Sequence, residues 1–493
     1  FLVWSTSKFL KKKKKKKVYL KLLLSSIVLL SVSSCRDELT VSPNDRILLE
    51  NAFNTEADFR KGIDNAYDGF KMSGYYSGDN SQNIVPDIIS DNLILNPLGR
   101  RSNQQVYILD FAANVSGVSS VYGAAYNVIS RSNAVLKYID RLPSGASRNN
   151  IEAEARAIRA IAHFDIARRY CKIPTQSADA GASMGIAYVD KYDPFIVTSR
   201  DLTVNQVYDK ILEDLLFAEA NITQSANVGK LTKAAIQGML SRVYLYKGDY
   251  ANTIVWGEKS LALNSNLGTL ASFSKIWDDS SNDGVLFKIL NSSVENIKTG
   301  SCYNQTVSGQ IKSEYVVDYG FYNLFNDTDV RKAAYIKTSV FSGKNFNNVI
   351  KHKQALNKPV EAVDVKYLRT AEVLLNVAEA KYKTGAEVEA LSLLNKLRAQ
   401  RYSGFVNGTE SGTSLWNAIM LQRRLELAFE TDRFFTLKRL GMPIQRTSAG
   451  AYSDGTGEVP TTLSLDVASH KWQLPIPQNA IDVNPGTKQN PGY

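Results

Sequence analysis

The chain has 493 residues and a formal net charge of +11, with 44% hydrophobic and 22% charged side chains. The excess charge is local: nine lysines and no acidic residue fall in the first 34 positions, and taking those nine from the 59 basic side chains leaves 50 against 48 acidic, a charge of +2. No charge-dense basic tract follows, which argues against a protein that binds a phosphate backbone.

The lysine block runs into an apolar stretch, Leu22 to Val32, broken only by serines. As a helix it would cover about 16 Å of a hydrocarbon layer about 30 Å thick. Too short to span, it reads with its basic flank as a secretory signal, residues 1–34, removed on export. Val32-Ser33-Ser34-Cys35 resembles the bacterial lipobox, which makes Cys35 the expected lipidation site. Two or three acyl chains on one residue anchor far better than a single chain. No Pro/Gly/Ser-rich linker divides the remainder, so residues 35–493 are expected to form one domain. Apart from Cys35 only Cys171 and Cys302 remain, free to pair or to stay as buried thiols.

Helical periodicity predicts helices at 56–71, 119–140, 151–170 and 204–220. Next comes a pair: one helix to Tyr246, a Lys-Gly-Asp-Tyr turn, and a second helix to about Leu263. Ala234, Ala235 and Gly238 in the first member permit close approach of the second. A similar pair follows, in which Leu368, Ala371, Leu375, Ala378 and Tyr382 share one face, Thr-Gly-Ala-Glu breaks the helix, and another runs from Glu387 to Arg401. Each pair has the tetratricopeptide period of about 34 residues. A last helix is predicted at 414–440. The stretches 73–118, 264–350 and 443–493 lack helical period and are rich in Asn, Ser, Gly and Tyr. Loops of that length carry function or conceal short strands. The expected fold class is therefore mainly α, a right-angled spine of helix pairs with a long, irregular, aromatic-bearing cap.

Chemistry is hard to find. His163, His352 and His470 stand alone, and no zinc, nucleophile-elbow, phosphate-loop or dinucleotide motif is present. No cofactor or metal site is expected; Ser453-Asp454-Gly455-Thr456-Gly457-Glu458 offers oxygen ligands without the spacing of a calcium loop, and a structural calcium ion stays open. Arg423, Glu426, Glu430 and Arg433 make a charged stripe on one helix face. Paired glutamates suggest glycosidase chemistry, but a general acid needs a raised pKa and neighbouring arginines oppose that. The stripe reads as a structural ion network, and the chain is not expected to be an enzyme.

Several segments, in this order, resemble the SusD/RagB family of outer-membrane nutrient-binding lipoproteins from Bacteroidetes. They are the leader to Cys35, residues 51–70, 131–140, 152–174 and 202–222, the helix pair about Gly248-Asp249-Tyr250, and residues 366–385, 394–401, 422–439 and 474–493. The closing Gln-Asn-Pro-Gly-Tyr is similar to the family's natural end, so the chain is expected to be complete there, with the translation start left open. The resemblance implies a helical fold with about four tetratricopeptide-like pairs. It also implies a lipid anchor in the outer membrane facing the exterior, and a SusC/RagA-like TonB-dependent transporter as partner. Arg36-Asp37-Glu38 is similar to the tract that directs such lipoproteins to the cell surface. The implied ligand is an oligosaccharide, with a peptide or another nutrient as the alternative; a protein-only scaffold that buries its loop aromatics, or a surface glycosidase, ranks lower.

Sugar rings have apolar faces and hydroxyl rims, and tyrosine meets both with one rigid side chain. The chain carries 25 Tyr against 5 Trp. In the family, contacts come from the first loop region and the middle segment. On that basis the expected ligand-binding residues are Tyr75, Tyr76, Asn80, Arg101, Trp277 and Tyr303, with further loop aromatics at Tyr107, Tyr315, Tyr319 and Tyr322.

Overall fold

A computed structural model describes residues 49–223, 226–292, 294–295 and 297–493. The leader, Cys35 and Arg36-Asp37-Glu38 lie outside the described residues. The chain divides into two compact units, Phe1–Asn54 and Thr55–Tyr493. Of the first, Leu49–Asn54 are described and hold one 3-10 turn, Leu49–Asn51.

The longer helices of the second unit are α1 (Glu56–Gly69), α2 (Ser116–Lys137), α3 (Ala146–Tyr170), α4 (Val204–Asn221), α5 (Lys233–Lys247) and α6 (Tyr250–Leu263). After a long interval come α7 (Thr370–Lys383), α8 (Glu387–Ala399), α9 (Gly412–Glu426) and α10 (Asp432–Arg439). From α1 to α9 each helix packs on the next, so the mainly α class expected from periodicity is the observed one. Local chemistry sets the helix ends. Thr55 and Thr203 open α1 and α4 with reciprocal capping boxes to Asp58 and Gln206. Gly248 closes α5 at φ 78°, and Asp249 at once caps α6. The small residues of α5 act as anticipated. A Cβ on Gly238 would come within 2.9 Å of Leu368 and Val373, and Ser260 of α6 donates to the Ala234 carbonyl at 2.8 Å.

The expected helix at 414–440 is two helices, which corrects the sequence reading. Phe429 (φ 62°) and Thr431 (φ 70°) take left-handed conformations between α9 and α10. Periodicity could not show the cause: Glu430 turns inward to Arg369 and Lys351, and the Thr431 amide donates to buried Asp87 at 3.0 Å.

The irregular stretches do conceal strands: β1 (Leu93–Leu95), β2 (Val285–Ile289), β3 (Tyr315–Val317), β4 (Ile336–Phe341) and β5 (Lys344–Val349); a further strand, β6 (Val365–Arg369), takes Leu368 out of the helix face predicted for it, since α7 starts only at Thr370. Four make an antiparallel sheet in the order β1-β3-β5-β4. The β4–β5 hairpin turns on Ser342 and Gly343, both at positive φ, as a two-residue hairpin turn requires. β2 pairs with β6, and β6 runs directly into α7. Cys171 and Cys302 are separate buried thiols. No helix among the described residues is long and apolar enough to cross a membrane.

Candidate functional site

The charged stripe predicted over 423–433 crosses the break between two helices: Arg423 and Glu426 are buried at the end of α9, Glu430 lies in the turn, and Arg433, on α10, is partly exposed. Glu426 accepts from Arg369 Nη1 and Arg401 Nε at 2.8 Å and from Arg331 Nη1 at 3.4 Å, while Glu430 accepts from Arg369 and from Lys351 Nζ at 2.7 Å. Despite full burial, these cations hold both carboxyls below the usual carboxylate range. Arg423 and Arg433 pair elsewhere, with Asp432 and Asp91. The ion network is real, but its partners come from other elements rather than from along the stripe. Burial pushes three other carboxyls up: Asp79, Glu361 and Asp87, the last to about 8; Asp87 is wholly buried, with one oxygen held by the Thr431 amide. Among the described residues no group of three His, Cys, Asp or Glu side chains could hold a metal ion.

Four of the six expected ligand-binding residues are interior, and this corrects the sequence reading. Tyr75 and Tyr76 are buried, both hydroxyls donating to Asp165, at 3.0 and 2.7 Å. Trp277 is covered by Tyr335, Lys351 (4.1 Å from its ring) and Arg369. Tyr303 has no exposed surface and lies near-parallel to His352. Tyr107 and Tyr315 are buried as well. Long loops without a ladder of backbone hydrogen bonds are pinned by large side chains, and an aromatic ring buries more apolar area than any other anchor. In this conformation these rings offer no face to a ligand.

Asn80 and Arg101 do come together. With Asn103, Gln104, Asn114 and Ser116 they line an open cavity of about 580 Å³. Its floor is built from below by one carboxylate. Glu314, immediately before β3 and fully buried, accepts from Arg100 Nε at 2.8 Å, the Ser102 amide at 2.7 Å and Gln305 Nε2 at 2.8 Å. The segment after β1 crosses so near it that a Cβ on Gly99 would lie 2.7 Å from the Glu314 Cα. Held this way, Arg101 (φ 60°), Asn103 (φ 58°) and Leu109 (φ 61°) all take left-handed backbone conformations. Such strain costs about 1–3 kcal/mol per residue and collects where function over-determines the backbone. It turns Arg101 outward, where its guanidinium meets the Pro97 carbonyl at 3.2 Å and Glu458 at 3.7 Å. That last contact is exposed and worth little.

The cavity is therefore a ring of amides, each both donor and acceptor, around one guanidinium. It contains no aromatic platform, contrary to expectation. Sequence reasoning missed Asn103, Gln104, Asn114 and Ser116. The amide-rich Ser102-Asn103-Gln104-Gln105 was the available signal; Glu314 had none.

Comparisons with known proteins agree with this architecture. Residues 296–493 match the model of the SusD family, and residues 41–245 match a SusD-like model described as starch-binding and associating with the outer membrane. A curated relative, SusD-like protein P2 of Formosa agariphila, is 24% identical over 95% of this chain and 98% of its own. A solved putative sugar binding protein from Bacteroides vulgatus superposes with a TM-score of 0.79 at 26% identity, covering 90% of this chain and 99% of that one. A surface glycan-binding protein A from Bacteroides uniformis shares the fold alone, with a TM-score of 0.69 at 18% identity, covering 88% of this chain and 99% of that one.

Proposed function

Because this chain belongs to the SusD/RagB family, we propose that it is a cell-surface protein that binds oligosaccharides and hands them to a partner TonB-dependent outer-membrane transporter. It acts without chemistry of its own. The observation that carries the reading is the cavity around Arg101, where amide donors and acceptors converge on a backbone strained into place over buried Glu314. A sugar rim alternates hydroxyl donors and acceptors, and a ring of Asn and Gln side chains answers both without a net charge to desolvate. The guanidinium adds a planar fork that can hold two adjacent oxygens. The carboxylates of Glu426 and Glu430 suit a structural role better than that of a general acid, since their arginine and lysine partners keep both ionised.

The test uses the soluble chain from Arg36 to Tyr493 on a glycan array, followed by calorimetry on the strongest-binding glycan. We expect binding without turnover, and a loss of about tenfold or more for Arg101→Ala and for Asn80→Ala. Release of shortened saccharides would overturn the binder, and undiminished affinity in both variants would overturn the site. Co-purification from detergent-solubilised outer membranes tests the transporter partner.

A further inference from the structure

A second cavity, of about 410 Å³, lies where the segment after α3 meets the C-terminal tail. Its volume falls within the range of about 300–1,000 Å³ typical of small-molecule sites. Its lining mixes apolar side chains, Met184, Val467 and Ala468, with polar ones, Gln176, His470 and Gln473. Formal charge inside it is cancelled, because Asp179 is already taken by Lys172 Nζ at 2.6 Å and by the Ser177 hydroxyl at 2.7 Å. Gln473 contributes a side-chain nitrogen that is buried and has no hydrogen-bond partner. An orphaned buried donor costs about 1–3 kcal/mol, so an acceptor arriving in the cavity is rewarded.

We propose that this cavity is a second carbohydrate site, taking a mono- or disaccharide unit; the ligand class rests on the function proposed above. A lining that mixes apolar carbon with uncharged donors and acceptors matches the C–H faces and hydroxyl rim of a sugar ring. Lys471, next to His470, donates from Nζ to the carbonyl of strained Leu109 at 2.7 Å, tying the second cavity to the segment that shapes the first.

Saturation-transfer NMR of the chain from Arg36 with maltose, cellobiose, laminaribiose and lactose tests this. We expect at least one disaccharide to receive saturation in Arg101→Ala, and to lose it in Ala468→Trp, which fills the mouth from an exposed position, and in Gln473→Leu. Thermal melts confirm that these variants fold. If all transfer disappears in Arg101→Ala, there is one site, the second is overturned and the glycan-binding reading stands. Transfer that survives Ala468→Trp and Gln473→Leu together overturns it as well. If no disaccharide receives saturation the second site is also overturned, and the glycan array separately decides the fate of the first.

Discussion

Glu314 exposes no atom, yet it sets the shape of the surface above it by holding Arg100, the Ser102 amide and Gln305 at once. Removing it should relax the left-handed residues Arg101 and Asn103 and scatter the amides. We expect Glu314→Ala to lose glycan affinity by about tenfold or more even where the protein remains folded, with Glu314→Gln recovering part of it. Calorimetry beside circular dichroism separates loss of shape from loss of fold. Glu426 answers to a different demand. Its carboxylate neutralises three buried arginines, so Glu426→Gln leaves uncompensated charge in the core and should cost about 3–5 kcal/mol, read as a lowered denaturation midpoint. Glu314 and Glu426 are both buried carboxylates held by arginine, one beneath the candidate site and one inside the core, and residue type alone does not tell them apart.

At the scale of elements, α5, α6 and α7 pack through small residues. A Cβ on Gly257 would lie 2.3 Å from Val377 Cγ2 and 3.0 Å from Ser241 Oγ. Gly257→Ala should therefore overpack the α6–α7 contact and cost about 1–3 kcal/mol, visible as a drop in Tm without change in helix content. Several helices were readable because they bury a periodic stripe, as α4 does, or carry caps written in the sequence: the Thr203 and Gln206 box of α4 and the Gly-Asp junction of α5 and α6; α3, α5 and α7 are buried on all sides over long runs. The break between α9 and α10 was not readable, because it is imposed by Asp87 and Arg369, far away in the chain. The candidate site was legible only in part for the same reason. Asn80 and Arg101, polar loop residues, do line one cavity, whereas Tyr75, Tyr76, Trp277 and Tyr303 satisfied the same composition rule while facing Asp165, Lys351 and His352 inside. Sequence states that a loop is rich in rings; the direction of each ring is decided by partners that only folding brings near.

For the whole molecule, acid should be the weak side. His163 and His352 are buried and neutral: His163 takes the Val189 amide at 3.0 Å on Nε2 and meets the Arg159 carbonyl at 3.0 Å through Nδ1, and His352 meets the Phe429 carbonyl at 2.8 Å. Burial pulls both below the ordinary value of 6.5, His352 to about 4. Between those values the unfolded chain binds protons that the folded histidines refuse, so the histidine contribution to stability is full above pH 6.5 and falls as the pH drops toward 4. Chemical denaturation across this window should show the slope, and His352→Gln should flatten it. Anchoring is a separate property of the intact chain. If Cys35 is acylated, labelled palmitate should enter the wild-type protein and be absent from Cys35→Ser, which should also leave the membrane fraction.

The junction at Glu426 has one more consequence, concerning the order of assembly. Its arginines come from positions 331, 369 and 401, all earlier in the chain, so a growing polypeptide holds three cations with no common counter-ion until its last seventh appears. Arg331 already has Asp329 beside it at 2.8 Å, but Arg369 and Arg401 must wait for their carboxylates, so this part of the interior is expected to settle late. A stop codon shortly before position 426 would strip the keystone from the arch, leaving not a smaller receptor but a chain fit for degradation.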